Sequence, residues 1–264
     1  MHIMKWLVIF GVVWLSTLAA RAVLVNGSVQ PNSPTVSGWT SGWGNGSVTG
    51  WDYVGWTGGA SGVYLGNGWV ITAAHVGQYS TNFILSGTAY SIIQESVTAA
   101  SFGGADLFMM QLSVSPDLPD LAVSNSAVSL DSNVVVIGHG DGAGANTKSW
   151  GQSTVSGKQT VANLGYTTES FVVASGTVEG ITGDSGGAGF VWRDGQWELA
   201  GLMFAVGAVG EKHAIALSDF QSYLATINAT LLLDFQQIPE PSAWALMVTG
   251  AGLVLSLSAA RRRK

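Results

Sequence analysis

Between residues 60 and 207 no apolar run stays open for long. SGVYLG, WVITAA, NFILSG, YSIIQESV, LFMMQLSV, NVVVIGHG, SFVVASG and GFVWRDGQWELAGLMFAVG follow one another, separated by Gly, Ser, Asn and Asp turns. Runs of that length, rich in Val, Ile and aromatics, predict strands, and their close spacing predicts an all-β barrel or sandwich. WRDGQW at 192–197 predicts a hairpin with Asp194-Gly195 as its two-residue turn. One stretch breaks the pattern. In SDFQSYLATINATLLL, 218–233, Phe220, Leu224, Ile227 and Leu231 recur at helical spacing behind Ser218 as a cap. The expected order is many strands, then a terminal helix.

Both ends of the chain read as addresses rather than fold. Lys5, the apolar run Trp6 to Leu15 and the small-x-small Ala20-Arg21-Ala22 predict a signal peptide over 1–22. Ala243 to Ala260 carries no charge and predicts a short transmembrane helix. Arg261, Arg262, Arg263 and Lys264 follow it and would hold that end in the cytoplasm. Pro239-Glu240-Pro241, the apolar span and the basic cluster together resemble the PEP-CTERM sorting signal of Gram-negative bacteria. That resemblance implies recognition by exosortase-type sorting machinery. It also implies export across the inner membrane to the periplasm, cell surface or extracellular matrix, with at least transient membrane contact. The body then divides into 23–125 and 126–235, with a sorting tail at 236–264.

Residues 23–238 hold four basic and fifteen acidic residues, a net charge of −11. Such a body repels nucleic acid. The chain has no cysteine, which excludes a disulfide framework, a thiol nucleophile and a zinc–thiolate site. Stability must come from packing. Gly-Trp occurs five times between residues 38 and 69, at irregular intervals that argue against a solenoid. Exposed tryptophans could stack on sugars, and buried ones fill a β layer. Trp69, on a predicted strand, is assigned to the core.

Three segments carry chemistry. His75 ends GWVITAAH, where a strand runs into two small alanines that leave room beside the ring. Asp106 heads the apolar run in GGADLFMMQLS, and a carboxylate there needs a partner such as an imidazole N–H. Ser185 lies in Gly183-Asp184-Ser185-Gly186-Gly187. A serine hydroxyl needs an adjacent base to become a nucleophile. Acyl transfer also needs N–H groups aimed at the developing oxyanion, which Gly183 and Ser185 could supply.

ITAAH, ADLFMMQL and GDSGG, in that order, resemble the three signature segments of trypsin/chymotrypsin-like serine endopeptidases. VVVIGHG at 134–140, WELAGLMFAVG at 197–207 and the terminal helix extend the resemblance over roughly residues 60–233. It implies two six-stranded antiparallel β-barrels of the trypsin-like type with a C-terminal α-helix. His75 and Asp106 would come from the first barrel and Ser185 from the second. It implies hydrolysis of protein or peptide substrates through an acyl-enzyme, with no cofactor and no metal. Asp184 would pair with an α-amine or another donor. Glu179, six residues before Ser185, falls where the family has its pocket-base residue and would favour a basic substrate side chain. Phe204, Ala205 and Val206 replace the more usual Ser-Trp-Gly on the cleft wall. Two other functions stay open: a catalytically inactive surface or matrix-binding protein on this scaffold, and an esterase using the same triad.

Overall fold

A computed structural model describes residues 23–25, 28–29, 39–44, 46–140, 148–174, 176, 178–207 and 214–233. The signal peptide predicted at 1–22 and the helix predicted at 243–260 lie outside these residues. No helix among the described residues is long and apolar enough to cross a membrane.

Two short strands, β1 (Leu24–Val25) and β2 (Ser28–Val29), come first. One helical turn, α1 (Gly50–Tyr53), leads into the first barrel. Its strands are β3 (Val54–Thr57), β4 (Ala60–Gly66), β5 (Trp69–Thr72), β6 (Asn82–Leu85), β7 (Thr88–Val97) and β8 (Phe108–Leu112). They close in the order β3-β4-β5-β8-β7-β6. A second turn, α2 (Ala74–Gly77), follows β5.

The second barrel is built from β9 (Asn133–Gly138), β10 (Ser149–Asn163), β11 (Tyr166–Val173), β13 (Ala188–Arg193), β14 (Gln196–Val206) and β15 (Ile215–Ser218). They close in the order β10-β11-β15-β14-β13-β9. Between β11 and β13, the short β12 (Val178–Glu179) pairs with β1 instead, Leu24 opposite Glu179 and Val25 opposite Val178. The strand runs read from the sequence thus form two closed six-stranded antiparallel barrels. Closure leaves neither barrel a free sheet edge, and among the described residues only the short three-stranded sheet β12-β1-β2 stays open.

The hairpin at 192–197 forms as its residues dictate. Asp194 and Gly195 both take positive φ, 49° and 88°. That is the two-residue turn whose twist matches the flanking strands. The terminal helix is shorter than its spacing predicts. Ser218 is the last residue of β15, where its hydroxyl accepts from Leu202 N–H at 3.0 Å, so it cannot cap. Asp219 takes that place, accepting from Gln221 N–H and opening a single 3-10 turn at Phe220–Ser222. The α-helix proper, α3, is Leu224–Leu231. Strand pairing outcompeted the helical spacing at its first residues. Phe220 and Ile227 still face the core, as the spacing implies.

The tryptophans are mostly structural. Trp39, Trp43 and Trp69 are buried, with Trp43 against Phe190 at 4.8 Å and Trp39 against Trp150 at 5.2 Å between ring centroids. The stretch around residues 39–43 therefore lies on the second barrel.

Lys148, just before β10, crosses to the first barrel. Its Nζ donates to the carbonyls of Trp51 at 2.7 Å and Val54 at 3.0 Å, and sits 4.5 Å from the Trp51 ring centroid. Burial pushes its pKa down from 10.5 to about 8, opposed by the nearby Asp52 charge. Below about pH 8 both folded and unfolded chains carry the proton, and folding bears the full cost of burying it. Between about 8 and 10.5 only the unfolded chain is protonated, so stability from this group rises with pH. In urea unfolding, the wild type should gain on Lys148→Met as pH rises from about 7 to about 10. A gap that is constant across that range would rule out the buried charge.

Candidate active site

The four residues of β5 are all buried, which fixes the backbone that leads to His75. Ala73 leaves the strand, and its carbonyl accepts from Val76 and Gly77 N–H at 3.0 and 2.8 Å. This single turn carries the His75 ring out of the sheet. Ala73 and Ala74 are buried and leave the side of the ring clear.

Asp106 is fully buried just before β8. It holds His75 at two points. Oδ1 accepts from His75 N–H at 3.0 Å, and Oδ2 lies 2.7 Å from His75 Nδ1. A carboxylate only accepts, so Nδ1 carries the proton and Nε2 is left as the basic nitrogen. The Asp106 N–H donates in turn to Thr168 Oγ1 at 2.9 Å, on β11 of the second barrel. Tyr166, also on β11, has its phenol pKa pushed up, first by desolvation and then by the charges of Asp106 and Tyr79.

Ser185 sits half-buried in the loop before β13. That loop is tied down residue by residue. Gly187 N–H donates to Asp184 O at 2.8 Å, and Gly186 N–H donates to Met203 O at 2.7 Å. The buried Asp184 accepts from Ile181 N–H through Oδ2 at 2.9 Å, so a backbone donor is among the partners of this carboxylate. Gly183 and Gly186 take φ of 91° and 80°, open to glycine at little cost.

Ser61 of β4 reaches the same loop from the first barrel. Its N–H donates to Ser185 O at 2.9 Å, and its hydroxyl donates to Gly183 O at 3.3 Å. The hydroxyl also accepts from His139 N–H at 2.8 Å. Thr72 Oγ1 donates to Ser61 O at 2.7 Å. A Cβ on Gly186 would fall 2.1 Å from Ser61 O and 2.2 Å from Thr72 Oγ1. The residue after Ser185 therefore packs on the strand that ends three residues before His75. The His75–Asp106 pair and the loop of Gly183 and Ser185 thus each touch the seam between the barrels, the first through Thr168 and the second through Ser61 and Thr72.

Phe204, Ala205 and Val206 end β14, with Phe204 and Ala205 buried and Val206 at the surface. Glu179 lies on β12, half-buried, beside Gly180. A Cβ on Gly180 would stand 2.7 Å from Val206 Cγ2 and 3.0 Å from Ile215 Cγ1. The Val206 and Ile215 side chains thus pack closely over the Gly180 backbone. Among the described residues, no three His, Asp or Glu side chains cluster as a metal site would require. Ser61 and Thr168 escaped sequence reasoning. Each acts across the seam, 122 and 62 residues from its partner, and neither stands in a motif.

Residues 60–202 match the family model of the trypsin-like peptidase domain. Among solved structures, an inactive form of the Rv3671c protease is similar at 16% identity and a TM-score of 0.50, over 69% of this chain and 90% of that one. The active form of the Rv3671c protease from M. tuberculosis aligns at 16% identity and a TM-score of 0.49, over 64% of this chain and 72% of that one. At such identity the likeness bears on the fold alone. No curated protein matches the chain. The family match covers ITAAH, ADLFMMQL and GDSGG within residues 60–202 of 264, and the chain belongs to the trypsin-like peptidase family as a serine protease.

Proposed function

We propose that the chain is a secreted serine endopeptidase whose triad is His75, Asp106 and Ser185. The two-point hold of Asp106 on His75, at 2.7 and 3.0 Å, carries the reading. It fixes both the ring orientation and the tautomer a general base needs. His75 Nε2 takes the proton of Ser185 Oγ as that oxygen attacks the scissile carbonyl. The N–H groups of Gly183 and Ser185 receive the oxyanion. His75 then delivers the proton to the leaving amine, and water repeats the sequence on the acyl-enzyme. A fluorophosphonate should label the folded, mature protein, and absence of label would defeat the reading. Turnover of peptide against ester substrates separates the peptidase from an esterase.

Substrate side chains would enter between Glu179 and the wall formed by Phe204, Ala205 and Val206. The contact of Val206 and Ile215 with Gly180 supports a small side chain at the cleaved bond. Among matched peptides with Ala, Leu or Arg at that position, Ala should be cut fastest. Faster cleavage after Arg would instead place Glu179 at the base of an open slot.

The signal peptide at 1–22 and the PEP-CTERM-like tail support export and exosortase-dependent sorting. Mass spectrometry of the mature protein, reading a new N-terminus at Val23 and the fate of residues 236–264, tests both.

A further inference from the structure

We infer that Thr168 is a positioning residue of the active site, holding the acid of the triad from the opposite barrel. The inference rests on the triad proposed above. Asp106 and Thr168 are both fully buried, so the Asp106 N–H has no water to turn to and depends on the Thr168 hydroxyl at 2.9 Å. A second bond runs beside it, from Thr167 N–H to Gly104 O at 3.1 Å. The start of β11 is thereby stapled on both sides of Ala105 to the loop that carries the acid.

The staple is itself braced. The N–H of Glu169, next along β11, donates to the Tyr223 hydroxyl at 2.7 Å, and its carbonyl accepts from Asp219 N–H at 2.8 Å. Tyr223 packs edge-on against Phe102, and Thr226 Oγ1 donates to Ser101 O at 3.3 Å. The C-terminal segment therefore touches both the loop before Asp106 and the strand that holds it. Burial pushes the Tyr223 phenol pKa up, opposed by its bond to the Glu169 backbone and assisted by the charges of Glu169 and Asp219. The hydroxyl thus stays in place as a neutral hydrogen-bonding group.

The consequence for catalysis is directional. Both oxygens of Asp106 are used on His75, so a shift of the Asp106 backbone moves the imidazole with it. A misplacement of about 1 Å from the attack geometry can lower turnover about a hundredfold, while substrate binding is made elsewhere in the cleft. Thr168 should therefore govern kcat rather than KM.

The test compares Thr168→Val, which keeps the shape and removes the hydroxyl, with Thr168→Ser, which keeps the hydroxyl. Thr168→Val should lower kcat roughly ten- to a hundredfold with KM changed by less than about twofold. Thr168→Ser should recover most of that kcat. A Thr168→Val enzyme within about twofold of wild-type kcat overturns the inference. So does a Thr168→Ser enzyme as slow as Thr168→Val, since packing alone would then explain both. Should Thr168→Val fail to fold, Thr168→Ala against Thr168→Ser isolates the hydroxyl in the same way, and equal kcat values overturn it. Asp106→Asn in the same series keeps the two levels apart. Its collapse beside an unaffected Thr168→Val removes only the role of Thr168. Its survival removes the triad and this inference with it.

Discussion

Ser185→Ala should lose turnover on the order of 10⁶-fold, together with all labelling by a fluorophosphonate. The size of the loss follows from what the hydroxyl does. Without it there is no bond to the acyl group, and the remaining machinery can only assist water. The loop itself should be undisturbed. Its shape is set by Ser61 N–H on Ser185 O, Gly186 N–H on Met203 O and Gly187 N–H on Asp184 O, none of which uses the serine side chain. The variant should therefore unfold at the same urea concentration as the wild type. Residual activity within about a hundredfold of wild type would remove Ser185 from the mechanism.

Asp106→Asn should cost about 10⁴-fold in kcat, and the local geometry says why. His75 N–H needs an acceptor, and in the native protein it finds Oδ1 at 3.0 Å. That demand turns the carbonyl oxygen of the new amide toward the His75 backbone. Its NH₂ group then faces Nδ1, where Oδ2 stood at 2.7 Å. Nδ1 must become the acceptor, and the ring proton moves to Nε2. The nitrogen needed as the base toward Ser185 is then already protonated. Since the hydrogen bonds are reversed rather than lost, KM and the fold should change little. A kcat within about tenfold of the wild type would show that Asp106 does not set the tautomer.

The candidate reacting groups are legible in the sequence because each stands in a local context that chemistry alone explains. His75 follows a strand and two alanines, Asp106 heads an apolar run, and Ser185 is framed by glycines. Strand runs and the Asp194-Gly195 turn were legible for the same reason, being short-range and periodic. What holds the groups together was not. Ser61 is one serine in SGVYLG and Thr168 one threonine in YTTES, and nothing within a few residues marks either. Their roles exist only once two barrels have closed and met. The start of the terminal helix failed on a related ground. Phe220, Ile227 and Leu231 do turn inward, but Ser218 and Asp219 are claimed by β11 and β14, which lie outside the helical stretch.

The far end of that helix bears on how far the enzyme can stray. Asn67, at the turn between β4 and β5, donates its Nδ2 to the carbonyls of Leu231 and Leu233 at 3.2 and 3.0 Å. The folded body thus grips the chain up to residue 233, and a cut upstream of Asp219 would remove the brace on β11. Only nine residues, 234–242, separate that grip from the apolar span beginning at Ala243. Fully extended they reach about 30 Å. Were the span predicted at 243–260 seated in a membrane with the tail retained, the folded body would be on a leash about as long as a bilayer's hydrocarbon core is thick. Its accessible substrates would then be those brought to the membrane surface, and cutting the leash would enlarge that range without altering the active site.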